Sequence, residues 1–305
     1  MQASAEVFFC WLFSAKENVI IMKTIIFPSD YFNINKIDEM YKKEYNVISR
    51  NGYFDIVLFS YDDFLENREI ILNRIPNNSV SAIYRGWMMK SEIYADFYAK
   101  LQQKNITLLT SPENYRKFHE FPYIYPEIIS DTAQMLIYPT SDSVDWQEVK
   151  QKFSKFMIKD YVKSVKETDF PKYISSDTDS DELKRLLEKF LQYRGTLYTG
   201  GICIKEYLNL KYYDNRTNEY RVFYIDGEIA TVSRNSGQGN YTPLPPKELL
   251  MKYRYLSSPF YTVDYAQLTD NSWKIIETGD GQVSGLSDNQ DIENFYRTLQ
   301  ILTCE

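Results

Sequence analysis

Histidine is almost absent: His119 is the only one in 305 residues. That nearly excludes zinc sites built on histidine and leaves one candidate for any histidine-dependent triad. Cys10, Cys203 and Cys304 are scattered, odd in number and without metal-type spacing. This excludes a disulfide scaffold and suits a reducing, cytoplasmic setting. No apolar run approaches the length of a membrane span. Val7–Phe13 is apolar but short, and no Lys or Arg precedes it, which argues against a secretory signal. A basic excess is lacking too. The formal net charge is −7, so nucleic acid and anionic membranes are not expected partners.

What remains is ordinary for a globular protein. Hydrophobic residues make up 44% and charged residues 25%, enough for a sizeable core, and the length suits two or three domains. Met22-Lys-Thr-Ile-Ile looks like a natural start, so residues 1–21 read as an upstream extension. From there strands and helices alternate. Strands are expected at Thr24–Phe27, Asp55–Phe59, Ser81–Tyr84 and Ile106–Leu109. Helices are expected at Ile37–Tyr45, Asp62–Ile75, Glu92–Lys104 and from Pro112. Such alternation implies an α/β domain over residues 22–120, with a parallel sheet. Ligands of such sheets lie beyond the carboxyl ends of the strands. Arg85 stands at one such end, either as an anion contact or as a surface arginine beside a turn glycine.

Residues 121–145 are rich in Tyr, Pro, Ser, Thr and Asp and read as a connection with a helix near Ser130–Leu136. A second, α+β domain then runs over 146–305. Leu183, Leu186, Leu187, Phe190 and Leu191 form one apolar stripe, which predicts a helix over Ser180–Arg194. The rest is mainly antiparallel hairpins. In one of them, Asp270-Asn271 reads as a two-residue turn. Counting outward puts Asp264 opposite Glu277. Two facing carboxylates repel, and a cation between them relieves the repulsion. Mg²⁺ takes such oxygens and shares them with substrate phosphates.

Three further groups bear chemistry. Lys159 and Lys163 lie at a strand end before a polar loop, a pattern that suits phosphates but also occurs in solvated charge runs. Lys205-Glu206-Tyr207-Leu208 is a strand end leading into irregular chain. Glu219 and Arg221 share a strand face. With Asp226-Gly227 as the turn, Arg234 opposes Glu219. That cluster is either an anion site or an exposed ion pair of little energetic weight.

Phe156-Met-Ile-Lys159-Asp-Tyr-Val-Lys163, Thr199-Gly-Gly-Ile-Cys-Ile-Lys-Glu206-Tyr, Glu219-Tyr-Arg221-Val-Phe and Ile276-Glu277-Thr-Gly-Asp280-Gly-Gln occur in this order. Together they resemble the ATP-grasp superfamily, in the clade marked by an arginine and two lysines. The resemblance implies an ATP-grasp fold with an N-lobe over 146–205 and a C-lobe over 206–305, preceded by a Rossmann-like pre-ATP-grasp domain. It implies ATP and Mg²⁺ as cofactors. Lys159 and Lys163 would hold phosphates, with Lys205 and Glu219 in the nucleotide-binding set. Glu206, Tyr207 and Leu208 would form the adenine hinge. Arg221 and Arg234 would stabilise the transferred phosphoryl group, and Arg85 would orient a substrate.

Asp264 and Glu277 would ligate Mg²⁺. The superfamily commonly has Asn two residues after the metal glutamate. Here that position is Gly279, and Asp280 is expected to take over as ligand. The usual glycine-rich lid is replaced by Ser164–Tyr173. The activity implied is Mg²⁺-dependent ligation of a carboxylate to an amine, in a small molecule or peptide, through an acyl-phosphate. The rival uses of such a site are a kinase-like or nucleic-acid end-joining reaction, or nucleotide binding without turnover. A homodimer is compatible with the sequence.

Overall fold

The structure is a computed structural model that describes residues 24–303 apart from Glu167. The expected extension over residues 1–21 lies outside the described residues, as do Cys10 and Cys304. The described residues build three main sheets and a two-stranded ribbon; the first two sheets each have a core of their own and share others with the third.

The first sheet contains β1 (Thr24–Asp30), β2 (Asn33–Ile37), β3 (Asp55–Phe59), β4 (Val80–Tyr84) and β5 (Ile106–Leu108). Strands β3, β1, β4 and β5 run parallel in that order, and β2 folds back antiparallel on the end of β1. Burial explains the composition of these strands: Ile25, Ile26, Phe27, Val57, Phe59, Ala82 and Ile83 are wholly buried, as expected where helices cover both faces. The helices are α1 (Lys42–Asn51), α2 (Tyr61–Asn67), α3 (Ser91–Gln102) and α4 (Pro112–His119). Ser60 and Ser111 cap α2 and α4 with their side chains.

Two helix expectations are corrected here. The helix expected from Ile37 begins only at Lys42, because Asn33–Ile37 pairs with β1 instead. The helix expected to reach Ile75 stops at Asn67, where Arg68 turns left-handed at φ 59°. The chain then runs along the edge of β3: the Ser60 amide donates to the Ile71 carbonyl, and the Asn73 amide to the Leu58 carbonyl.

A short helix, α5 (Tyr125–Ile128), leads to the second sheet. It comprises β6 (Met135–Tyr138), β7 (Lys155–Asp160), β8 (Ile174–Ser175) and β9 (Ile202–Glu206), in the order β6-β9-β7-β8. The helix expected at Ser130–Leu136 does not form: a single tight turn over Ile129–Asp131 is followed by irregular chain and then by strand. Met135–Tyr138 forms the edge strand beside β9, so the N-lobe sheet borrows a strand from the segment read as a connection. Helices α6 (Trp146–Lys152) and α7 (Ser180–Arg194) accompany this sheet. Leu183, Leu187 and Phe190 of α7 are buried among Phe156, Ile158, Ile202 and Ile204, so the predicted apolar stripe faces the sheet.

A two-stranded ribbon, β10 (Tyr212–Tyr213) and β11 (Arg216–Thr217), precedes the third sheet. That sheet has β12 (Glu219–Ile225), β13 (Glu228–Arg234), β14 (Phe260–Gln267) and β15 (Trp273–Asp280), in the order β13-β12-β14-β15. Helix α8 (Lys247–Lys252) lies between its two hairpins in sequence, and α9 (Ile292–Thr303) follows it. Phe295, Tyr296 and Leu299 of α9 join Phe223 and Phe260 of this sheet to Ile25, Phe27 and Ile48 of the first domain in one core. A second core joins Met135 and Cys203 of the N-lobe to Val222, Val263 and Ile275 of the C-lobe, with Phe118 and Phe121 among them. The three sheets are thus clamped around one cleft. Among the described residues no helix is long and apolar enough to cross a membrane.

Candidate active site between the two sheets

The N-lobe wall of the cleft carries two buried lysines. Lys159 pairs with Cys203, and Met157 with Lys205, so both lysines lie on one sheet face. They are 6% and 5% exposed. Each ammonium rests over the ring of Phe121, at 5.0 Å and 4.4 Å, which offsets part of the desolvation cost. Lys205 also donates to the carbonyl of Ile276 at 2.7 Å. Burial, helped by the nearby Lys159, lowers the Lys205 pKa to about 7. A buried lysine pair of this kind is poised to receive anionic oxygen.

After β7 the chain turns on Asp160. Its carboxylate is wholly buried, accepts from the amides of Val162 and Lys163 at 2.7 Å each, and pairs with Arg194 at 2.8 Å. This fixed turn aims Lys163 across the cleft, where its ammonium lies 3.4 Å from Glu277. The segment in place of a lid is pinned to α7 through Asp169, which pairs with Lys189 at 2.7 Å, and through Phe170, whose ring lies 5.9 Å from Phe190.

The residues expected to form the hinge are tied to the connection and to β7. The Glu206 amide donates to the Gln134 carbonyl, and the Gln134 amide donates to the Glu206 carboxylate at 3.1 Å. The Tyr207 amide donates to the Lys155 carbonyl, and its ring packs 4.7 Å from Tyr173. Leu208 is half-buried.

On the C-lobe wall, Asp264 does stand opposite Glu277. The route to that register differs from simple counting. The loop closes around Thr269, Asp270 and Asn271, with the Leu268 amide donating to the Ser272 carbonyl and Asn271 left-handed at φ 72°. This is one residue longer than a two-residue turn. A bulge between Asp264 and Tyr265 then leaves Ile276 unopposed and restores the pairing.

Arg221, paired with Asp264 across β12 and β14, grips that carboxylate with two bonds of 2.8 Å and 2.7 Å. Burial alone would raise the pKa of Glu277. The cations Lys163, Lys159, Lys166 and Arg221 outweigh it and bring it down to about 2. Glu277 is therefore ionised, and each of the two carboxylates already faces a protein cation, Lys163 for Glu277 and Arg221 for Asp264.

Arg234 is placed differently from the sequence expectation. The turn at Asp226-Gly227 forms as read, with φ 45° and 82°. A bulge at Ala230 then shifts the ladder by one residue, so Arg234 opposes Tyr220 instead of Glu219. Arg234 still borders a cavity with Glu219, Arg221, Asn235 and Ser287, and its Nε is buried without a partner. Burial raises the pKa of Glu219, which accepts hydrogen bonds from Thr217 and Asn235.

Arg85 and Asp280 are also placed differently. Arg85 is 1% exposed and pairs with Glu44 at 3.0 Å. Its Nη1 donates to the carbonyls of Gly281, Gln282 and Ser284. With its donors spent internally, it fastens the loop after β15 to the first domain and does not reach into the cleft. Asp280 is wholly buried and accepts from the Gln282 amide and side chain. Strand alternation turns it to the face opposite Glu277 and Gly279, and burial raises its pKa to about 7. Among the described residues, no group of three or more acidic, histidine or cysteine side chains converges as a metal site. Asp264, Glu277 and Asp280 are therefore not one ligand set.

Sequence reasoning missed Phe121, the floor beneath the lysines, and gave His119 no place. His119 borders the cavity that holds Lys163, Arg221, Asp264, Glu277 and Gly279. Burial, with Lys163 nearby, lowers its pKa to about 4, so it is neutral. Thr262 and Ser284 border the same cavity. Thr262 had a readable signal, being two residues from Asp264 on one strand. Ser284 had none, because a loop brings it in.

Two sheets facing across a cleft, with lysines on one and paired carboxylates on the other, match a known family. The chain belongs to family 3 of the ATP-grasp domain clade named for one arginine and two lysines, whose model matches residues 145–299. A search among curated proteins finds no match. Solved structures share the fold. The ATP-grasp ligase PsnB, complexed with minimal precursor, Mg and ADP, is 10% identical with a TM-score of 0.60, covering 92% of this chain and 98% of that chain. D-alanyl-alanine synthetase A from Vibrio cholerae is 11% identical with a TM-score of 0.56, covering 93% and 99%. D-cycloserine synthetase DcsG is 12% identical with a TM-score of 0.58, covering 92% and 100%. These likenesses extend through the first domain as well as the family-matched half.

Proposed function

We propose that the protein is an ATP-dependent carboxylate–amine ligase that works through an acyl-phosphate. One observation carries the reading. In a chain of ATP-grasp membership, Lys159, Lys205 and Lys163 lie across one cleft from the register-opposed Asp264 and Glu277. Cations for phosphate oxygens and carboxylates for a divalent ion are what phosphoryl transfer requires, since it depends on positioning and charge neutralisation.

Asp264 and Glu277 fit Mg²⁺. The ion is commonly held by one or two protein carboxylates, with phosphates and water completing its shell. When bound, it would screen the phosphate charge and polarise the transferred group. Arg221 and Lys163, which neutralise these carboxylates in the ligand-free protein, are then released toward phosphate oxygens. Lys159 and Lys205 hold the phosphate chain, Glu206 with Tyr207 and Leu208 hold the base, and Glu219 closes the nucleotide set. Arg234, with its unpartnered Nε, meets the anionic acyl substrate.

The substrate carboxylate attacks the γ-phosphorus, the bond to the β-phosphate oxygen breaks, and ADP leaves. An amine then attacks the acyl carbon, loses a proton and expels phosphate. The amine and acid are small molecules or peptide groups, a class supported by the precursor complex of the PsnB neighbour. The test is an ADP- and phosphate-release screen of the purified protein with amino acids and peptides. Turnover that needs both a carboxylate and an amine supports the reading. Tight ATP binding with no turnover in any combination would sink it.

A further inference from the structure

This inference rests on the metal reading just given. One face of the β14–β15 hairpin carries four positions: Asp264 opposite Glu277, and Thr262 opposite Gly279. Gly279 alone brings no side chain. A Cβ there would lie 2.7 Å from Ser284 Oγ and 3.0 Å from Thr262 Oγ1. Two hydroxyls thus occupy the volume that a side chain at 279 would take. Their oxygens are 2.9 Å apart, and both residues are buried, Thr262 to 1% exposure and Ser284 to 9%.

A hydroxyl has one proton to donate and two lone pairs. Ser284 Oγ donates its proton to the Asp280 carbonyl at 2.8 Å. With the Ser284 proton so used, the Thr262 proton goes to Ser284 Oγ at 2.9 Å or to the Gly279 carbonyl at 3.4 Å. In both cases its oxygen keeps its lone pairs, on the sheet face that carries Asp264 and Glu277. Ser284 is in turn held by Arg85, which bonds its carbonyl at 2.9 Å.

We propose that Thr262 Oγ1 is a neutral oxygen donor to the divalent cation held by Asp264 and Glu277, with Ser284 as its positioning residue. Hydroxyl oxygen is an accepted Mg²⁺ ligand, as in phosphate-binding loops. Asp280 lines the same cavity, but strand alternation turns its carboxylate away from the face of Glu277 and Gly279, and Gln282 donates to it there. The donor that an asparagine at 279 would extend from β15 thus comes from β14.

The test is a Mn²⁺ titration followed by electron paramagnetic resonance, on the full chain with a non-hydrolysable ATP analogue. Thr262→Val keeps the shape and removes the lone pairs, so Mn²⁺ affinity should fall about tenfold or more. Thr262→Ser should retain it. Gly279→Ala leaves both hydroxyls in the sequence but drives a methyl into them, and should also weaken Mn²⁺ binding. Metal-free nucleotide affinity should not change in any of the three. If Thr262→Val and Gly279→Ala both bind Mn²⁺ as the wild type does, while Asp264→Asn does not, the proposal is overturned and the metal reading stands. If Asp264→Asn also binds normally, the metal reading fails and takes the proposal with it.

Discussion

Counting outward from the turn treats the two hairpins of the C-lobe sheet alike, yet they obey it differently. In β12–β13 the turn is where counting puts it, and a bulge at Ala230 moves Arg234 off Glu219. In β14–β15 the loop is one residue longer than counted, and a bulge at Ile276 cancels the error, so Asp264 meets Glu277. A register counted from a turn holds only while the ladder is regular. Bulges are placed where a strand must re-aim a group, and both bulges here lie in strands that border the cleft. The second has a visible use: beside it, the Ile276 carbonyl accepts from Lys205 and ties the lobes together.

That tie sharpens the comparison through pH. Burial and Lys159 hold Lys205 at about 7 in the free protein, and a bound phosphate raises it again. Between those two values, binding takes up a proton. Affinity should be flat with respect to this group below pH 7. It should then weaken as pH rises through the window, by up to about tenfold per unit. Calorimetry in buffers of different ionisation enthalpy would read the proton uptake directly. Lys205→Met should abolish the uptake.

A smaller effect separates the hairpins themselves. Since Arg234 does not face Glu219, a double-mutant cycle on nucleotide-free stability with Glu219→Gln and Arg234→Met should give a coupling below about 0.5 kcal/mol. A coupling above about 1 kcal/mol would restore the pairing that counting suggests.

Much of this was legible in the sequence. The apolar stripe from Leu183 to Leu191 located α7 with both of its ends. The order of the motifs around Lys159, Lys205, Arg221 and Glu277 pointed to the family. Three things were not legible, each for a physical reason. Arg85 reads as an anion contact or a surface residue because its partners, Glu44 and the carbonyls of Gly281, Gln282 and Ser284, are remote in sequence. Asp280 reads as a substitute ligand until strand alternation is followed past Gly279. Met135–Tyr138 is a short apolar run that periodicity alone cannot assign to helix or strand, and pairing with β9 makes it an edge strand.

The central claim is that Asp264 and Glu277 hold a divalent ion against phosphates gripped by the lysines opposite. The most direct measurement is calorimetric binding of a non-hydrolysable ATP analogue with and without Mg²⁺, in the wild type, Asp264→Asn and Glu277→Gln. The account predicts wild-type binding that Mg²⁺ tightens roughly tenfold or more, and variants that bind at the metal-free level whether Mg²⁺ is present or not. Variants that keep the full Mg²⁺ dependence would contradict it.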